Sequence, residues 1–524
     1  MRDDAQLGNA RAAPACDRSA THGPAHAVAR DHAAAAVVDR SHERSLALAV
    51  RRDGAFPGFA NRSRRLLMPR PHSLAVLATA VVAACHSYSA EPVDLEAHAR
   101  EFAARALDGA SVRQFADRLR SQDPSLPQFD LDDGLSLEEG RYIALLFNAE
   151  LRTIRLRAGV ARASAENAGR WADPELHGDF AKILESVDHP WVVSGSIGFT
   201  LPITGRPGLE KDLAESRHAE ALVQARVAEA RVLNELDKSW AHWSATRLGV
   251  ELLEELTAQL TALEAIAARL SAGQLITRVE ARAFTLERLT RQSQLLHAKS
   301  SLGAAEVDLK QLLGLPPDRA VAFVPSTGVS QRVSDPEQRR VHLADGPRVA
   351  IARREHDVSE RHLALAIRKQ YPELTLLPGW QEEDGLPRAA LGFSLPLPLW
   401  NGNAREIAET RAAREVAAET LRGSFERATQ DLARAEQRFL AAQGRRRLVD
   451  KELVPLAEQQ VVEGRRLAEL GQLDTLLILD AMTRSYEAKA MALEAVLAET
   501  EATIEINALF WPTLGLGDAT EAVR

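Results

Sequence analysis

A five-residue phrase occurs twice in this chain, as Gly198-Phe199-Thr200-Leu201-Pro202 and Gly392-Phe393-Ser394-Leu395-Pro396. Each copy ends a short alternating run and opens a very long helical run. Ahead of each lies a Pro-Glu-Leu, at Pro174-Glu175-Leu176 and Pro372-Glu373-Leu374. Far downstream each has a Gly-Gln-Leu, at Gly273-Gln274-Leu275 and Gly471-Gln472-Leu473. Three landmarks in the same order, about 198 residues apart with a small slip, indicate a duplicated unit. Repeats of roughly 20–50 residues read as solenoids. A unit this long, used twice, reads instead as one set of strands and helices copied once.

The runs before the phrase alternate. Val193, Gly195, Ile197, Phe199 and Leu201 share one parity; Ser194, Ser196, Gly198 and Thr200 share the other. Successive side chains of a strand point to opposite faces, so one face is apolar and the other small and polar. The second copy sets Leu391, Phe393, Leu395 and Leu397 against Ala390, Gly392, Ser394 and Pro396. Weaker partner runs carry Leu176, Gly178 and Phe180, and Leu374, Leu376 and Trp380. Apolar-out, polar-in alternation over about 10 residues is the pattern of a transmembrane β-barrel strand. It equally fits a two-stranded hairpin lying on a soluble core.

Composition narrows the class. Net charge is −8, which gives no reason to invoke nucleic acid. Hydrophobic residues make up 45% but aromatic ones only 5%, so the apolar content is mainly Ala, Leu and Val, as in long helices. No run of about 20 apolar residues is present, which excludes a transmembrane helix in the body of the chain.

Taken in order, residues 1–67 have no sustained period and read as a disordered extension. Residues 68–84 read as a signal peptide, with Arg70 and His72 ahead of an apolar run from Leu74 to Ala84, and Met68 as the natural start. A mixed lead-in occupies 85–135. The first copy spans 136–315: a helix from near Ser136 to about Ala168, a hairpin at about 174–202, a long helix from about Gly208 to Ala272, a turn at Gly273, and a return helix to Leu313. At 1.5 Å per residue the long helix reaches roughly 95 Å. Its seam of Leu233, Leu236, Trp240, Trp243, Val250, Leu253, Leu256, Leu260, Leu263, Ala267 and Leu270 alternates threes and fours with one slip, so it packs as a coiled coil. Trp240 and Trp243 read as interhelical packing rather than a ligand-stacking pair. After a linker at 316–345, the second copy fills 346–512, with a hairpin at about 371–398, a long helix from Asn403, a turn at Gly471 and a return helix to about Ala508. Pro455 lies inside that second long helix and is expected to kink it or start a new segment. The tail, 513–524, reads as unstructured.

This ordered double set resembles the TolC family of outer-membrane efflux channels, over about 136–512. Val82-Ala83-Ala84-Cys85 resembles a bacterial lipobox, which implies a lipid-anchored Cys85 and, with His86 rather than Asp following, an outer-membrane destination. The resemblance implies a mainly α protein with a small β part: a homotrimeric α-helical barrel joined to a twelve-stranded transmembrane β-barrel. The implied partners are outer-membrane lipid, a periplasmic adaptor (membrane fusion) protein and an inner-membrane pump. Four amphipathic strands cannot close a barrel, and open edges are not tolerated in lipid, so closure requires several chains. By the same resemblance the tips at Gly273 and Gly471 meet the adaptor, and Asp480 lines the closed periplasmic aperture, where a carboxylate ring attracts cations. Leu477 stands where some members carry a second acid. Asp474 and Glu280 are weaker candidates for the tip. Arg484 and Tyr486 read first as ordinary surface and packing residues, and second as partners in inter-helix bonds that keep such a tunnel shut.

No zinc-protease, paired-cysteine, phosphate-loop or nucleophile-elbow motif occurs, so nothing points to an enzyme or a cofactor. A competing reading is a periplasmic coiled-coil scaffold or adaptor lipoprotein without a transmembrane barrel.

Overall fold

The computed structural model describes residues 88–122, 124, 128–185, 188–383, 385–469 and 474–512. The extension 1–67, the signal segment 68–84, Cys85, the Gly471 turn and the tail 513–524 lie outside the described residues. Of the two units into which the chain divides, Met1–Glu91 and Pro92–Arg524, every element below belongs to the second.

The mixed lead-in carries two helices, α1 (Leu95–Ala103) and α2 (Ala110–Gln122). Val112, Phe115 and Leu119 of α2 are buried in the main core. The helix expected from Ser136 to Ala168 is two helices, α3 (Leu137–Phe147) and α4 (Ala149–Asn167). The break is at Asn148. Its backbone leaves the helical region (ψ 126°), and its side chain accepts from the Glu150 and Leu151 amides to cap α4. Ser136 starts α3 with a capping box, its hydroxyl accepting from the Glu139 amide and the Glu139 carboxylate accepting from the Ser136 amide.

Strands β1 (Glu175–Lys182) and β2 (Trp191–Leu201) follow, then α5 (Arg206–Ala272) and α6 (Arg278–Leu313). Gly314 ends α6 in the left-handed region (φ 68°), where a Cβ would lie 2.4 Å from the Phe147 carbonyl oxygen. In the linker, α7 (Pro336–His342) and a short 3₁₀ turn (Leu343–Asp345) lead to α8 (Pro347–Arg368). The second copy continues with β3 (Leu374–Glu383), β4 (Leu386–Ser394), α9 (Ala404–Leu448), a π-turn (Val449–Leu453), α10 (Val454–Glu469) and α11 (Thr475–Asn507).

The 67 residues of α5 rise about 100 Å. Along it Leu233, Leu236, Trp240, Trp243, Val250, Leu253, Leu256, Leu260 and Ala267 are all buried. It packs against α4, α6, α8 and α11, while α9 packs on α8 and α11, and α10 on α11. The main core lies where the linker crosses this framework. Trp240, fully buried, meets Trp243 and Phe323 edge-on at 6.1 and 5.4 Å, and its indole N–H donates to the Val324 carbonyl (3.1 Å). The tryptophan pair is therefore packing, and Gly140 fits beneath it only because it lacks a Cβ, which would sit 3.0 Å from the Trp240 ring. A smaller core, with Leu343, Val349, Leu432, Ile506 and Phe510, does the same for the second copy.

Buried ion pairs tie α3 and α4 to α5 within the first copy, and Arg332 of the linker joins that copy to α11. Arg155 meets Glu229 at 2.6 Å and Arg141 meets Asp237 at 2.8 Å; both carboxylates are about fully buried. Burial pushes the Asp237 carboxyl up, and Arg141 then Arg332 pull it back. Arg332 donates to Asn234 of α5 (3.0 Å) and to the carbonyls of Asn507 and Phe510 at the end of α11 (2.8 and 3.1 Å). Burial lowers its guanidinium to about 10.

Candidate functional site

The four strands form one antiparallel sheet in the order β1-β2-β3-β4. Its two hairpins are joined through β2 and β3, which pair Val193 with Glu382 and Leu201 with Leu374. Directly paired residues share a face. The registers therefore place Leu176, Phe180, Val193, Ile197, Phe199, Leu374, Leu376, Trp380, Leu391 and Phe393 on one face. The other face carries Glu175, His177, Asp179, Ser194, Ser196, Thr200, Thr375, Gln381, Arg388 and Ser394. On that polar face the hydroxyls of Thr200 and Thr375 lie 2.9 Å apart.

Most of the apolar face is uncovered: Leu176 is 84% exposed, Leu391 76% and Phe393 74%. A soluble core would cover these side chains. Lys182 and Trp191 stack at the far end of the same face, at 5.5 Å. From Trp191 to Leu201 the strand rises about 33 Å, and a 45° tilt brings this to about 23 Å, close to the height of an outer-membrane apolar band. Both outer edges, on β1 and β4, are unpaired among the described residues.

The opposite end of the helices carries the residues singled out at the tips. Gly273 follows α5, but the left-handed residue of this turn is Gln274 (φ 60°), not the glycine. Thr277 and Glu280 form a capping box at the start of α6, with the Glu280 carboxylate 2.6 Å from the Thr277 amide nitrogen. Asp474 caps α11, accepting from the Leu476 and Leu477 amides at 3.1 Å. Both acids thus spend a carboxylate oxygen on a helix start. Asp480 is exposed on the next turn of α11 and pairs with Arg484 (2.8 Å). Leu275, Leu476 and Leu477 are exposed around these tips. Gly471 lies outside the described residues.

One residue of this end went unread in the sequence. Arg291 of α6 is buried and reaches across to α11. It pairs with Glu287 (2.6 Å) and Glu487 (3.4 Å), and its guanidinium lies 5.2 Å from the Tyr486 ring centre. Burial raises the Tyr486 phenol. Of the two candidates for inter-helix bonds, Tyr486 makes such a contact, whereas Arg484 binds within its own helix. Nearby, Glu264 of α5 accepts from Thr285 (2.7 Å) and Arg288 (2.5 Å) of α6, and these bonds hold its carboxyl below the usual range.

No protein-family model matches the chain. The cobalt-zinc-cadmium resistance protein CzcC of Cupriavidus metallidurans is 25% identical over 240 residues, 45% of this chain and 57% of that protein. The match therefore spans little more than half of the relative's length. Among solved structures, CusC, described with its conformational changes on folding and transmembrane channel formation, superposes with a TM-score of 0.61 at 15% identity, over 74% of this chain and 96% of that one. The outer membrane protein VceC of Vibrio cholerae gives 0.61 at 18% identity, over 71% and 95%. The open-state outer membrane channel MtrE of Neisseria gonorrhoeae gives 0.59 at 16%, over 72% and 89%. The chain has the fold of these outer-membrane channel proteins.

Proposed function

We propose that this chain is the outer-membrane channel of a tripartite export system, a passive conduit from periplasm to exterior. The observation that carries this reading is the sheet. One face is apolar except for Lys182 and Glu382 at its far end and the other is polar; the sheet is open at both edges, and it stands at one end of a helix about 100 Å long. In lipid the open edges must be closed, and more copies of the same four strands do this. Three copies give a twelve-stranded barrel with its polar face around the pore, and the helices continue that pore into the periplasm. Cys85 carries the lipid anchor.

The tips of the helical hairpins are the docking end for a periplasmic adaptor and its inner-membrane pump. Asp480 supplies one carboxylate per copy to the closed aperture, flanked by the apolar Leu476 and Leu477, and engagement of the partners opens it. Divalent cobalt, zinc and cadmium, the metals in the name of CzcC, are the first cargo to assay.

Carbonate extraction of membranes carrying a Cys85→Ala variant tests the reading, together with migration on unboiled gels. A barrel stays in the membrane and runs as a heat-modifiable trimer. A scaffold lipoprotein held only by its lipid is released by that substitution and runs as a monomer.

A further inference from the structure

The first strand of the sheet differs from its counterpart in the second copy on the polar face. Aligned on the shared Pro-Glu-Leu, Glu175, His177 and Asp179 correspond to Glu373, Thr375 and Leu377. The glutamate is common to both copies; the histidine and the aspartate are not. Glu175, His177 and Asp179 have the same parity along β1, so they project from the polar face at steps of about 6.8 Å.

Small residues surround His177. The register sets it in one row with Ser196, Gly379 and Ala390, so its imidazole is the bulky side chain of that row. The next row towards the base of the sheet pairs Glu175 with Gly198. The ring leans over that row: a Cβ on Gly198 would lie 3.2 Å from His177 Nε2, tighter than ordinary Cβ contacts. There Nε2 comes to 3.5 Å from Glu175 Oε2, and both side chains are exposed. That distance is long for a hydrogen bond. It matches two ligands of one tetrahedral zinc ion, which stand about 3.3–3.5 Å apart when Zn–N is about 2.0–2.1 Å and Zn–O about 2.0–2.2 Å.

We infer that His177 and Glu175 form a weak coordination site for a divalent transition-metal cation, one per chain. An imidazole nitrogen beside a carboxylate oxygen suits zinc and its neighbours, whereas calcium and magnesium take oxygen alone. No group of three metal-binding side chains gathers among the described residues, so water fills the remaining positions and the ion exchanges readily. Asp179, one step along the face, adds negative charge without completing the shell. The role of the site rests on the channel reading above, which turns the polar face to the pore. A pore site passes its ion when binding is strong enough to admit it and weak enough to release it. Two protein donors over a cleared row meet both conditions.

Equilibrium dialysis of the untagged full-length protein in detergent against Zn²⁺ tests the site without reference to conduction. The other histidines contribute equally to parent and variant, so the difference between them reads this pair. Even the outer partners of metal ligands are worth about 10–100-fold in affinity, so His177→Ala and Glu175→Gln each weaken one site per chain at least about tenfold. Glu175→Gln keeps the side chain's shape and decides the matter if His177→Ala does not assemble. Planar-bilayer reversal potentials supply the second arm, with Ca²⁺ as the reference for charge alone. The parent passes Zn²⁺ in preference to Ca²⁺, and His177→Ala loses that preference. Equal Zn²⁺ binding by parent and both variants overturns the site. A site present in dialysis with no preference for Zn²⁺ in the parent overturns its role in passage. A parent that never conducts overturns the channel reading, and dialysis still decides the site.

Discussion

Arg291→Ala is the sharpest probe of how the tip end is held. The substitution leaves α6 and its capping box intact and removes the contacts that tie α6 to α11. A guanidinium on an aromatic face contributes about 0.5–1 kcal/mol where water reaches it and about 2 where it does not. Arg291 is buried and Tyr486 half-buried, so the stacking lies between these limits. The Glu487 bond adds about 0.2–1 kcal/mol, because that carboxylate is half exposed. The link then contributes about 1–2 kcal/mol, a factor of roughly 5–30 in the equilibrium between joined and separated hairpins. Bilayer recording of the purified channel reads this as a five- to thirtyfold rise in open fraction. Tyr486→Leu removes the ring and leaves Glu487, and the cycle of the two substitutions shows a coupling of about 0.5–1.5 kcal/mol. An Arg291→Ala protein that melts normally and opens no more often than its parent refutes the reasoning. So does strict additivity with Tyr486→Leu.

Three other outcomes follow from the same geometry. Ile197→Arg, in the middle of the apolar face, costs about 2–4 kcal/mol and abolishes heat-modifiable trimers, whereas Ser196→Arg, one residue away on the polar face, keeps them and changes conductance. Asp237→Ala removes the buried partner of Arg141, which keeps Glu138 (2.6 Å), and costs about 1–3 kcal/mol, read as a fall in melting temperature with weaker α3–α5 packing. Glu264 has a depressed carboxyl, so its contribution is complete above the unfolded value of about 4.3 and is lost as pH falls through the lower folded value. Melting curves from pH 6 down to 3 accordingly fall more steeply for the parent than for Glu264→Gln.

Punctuation made much of the architecture legible. Ser136 at a helix start and Gly273 at a helix end act through local backbone chemistry, and the observed α3 begins and α5 ends at them. The duplicated Gly-Phe-x-Leu-Pro marked the strands because alternation and the closing proline are both local. Asn148 was harder: an asparagine within a periodic run is compatible with continuing the helix, and only its capping bonds reveal the break. The lead-in helices were hidden for another reason. Each is short, and α2 is held by Phe115 and Leu119 packing into a core drawn from distant segments. Arg291 had no sequence signal beyond Glu287 one turn earlier, since its partners Tyr486 and Glu487 lie almost two hundred residues away. Acids at the tips were visible as acids, but their use as helix caps at Asp474 and Glu280 depends on where the helices start.

The strand order has a consequence for how the molecule comes into being. Each hairpin closes over a short connection, 183–190 or 384–385, but β2 reaches β3 only across residues 202–373. A pair of strands joined at that distance forms slowly, because the loop between them must be ordered first. Neither hairpin alone is large enough to be stable in water. The helices of the first copy are built from neighbours in sequence and need no such long closure. The sheet therefore waits for both copies, and its apolar face is assembled last, after the chain has completed most of its passage through water.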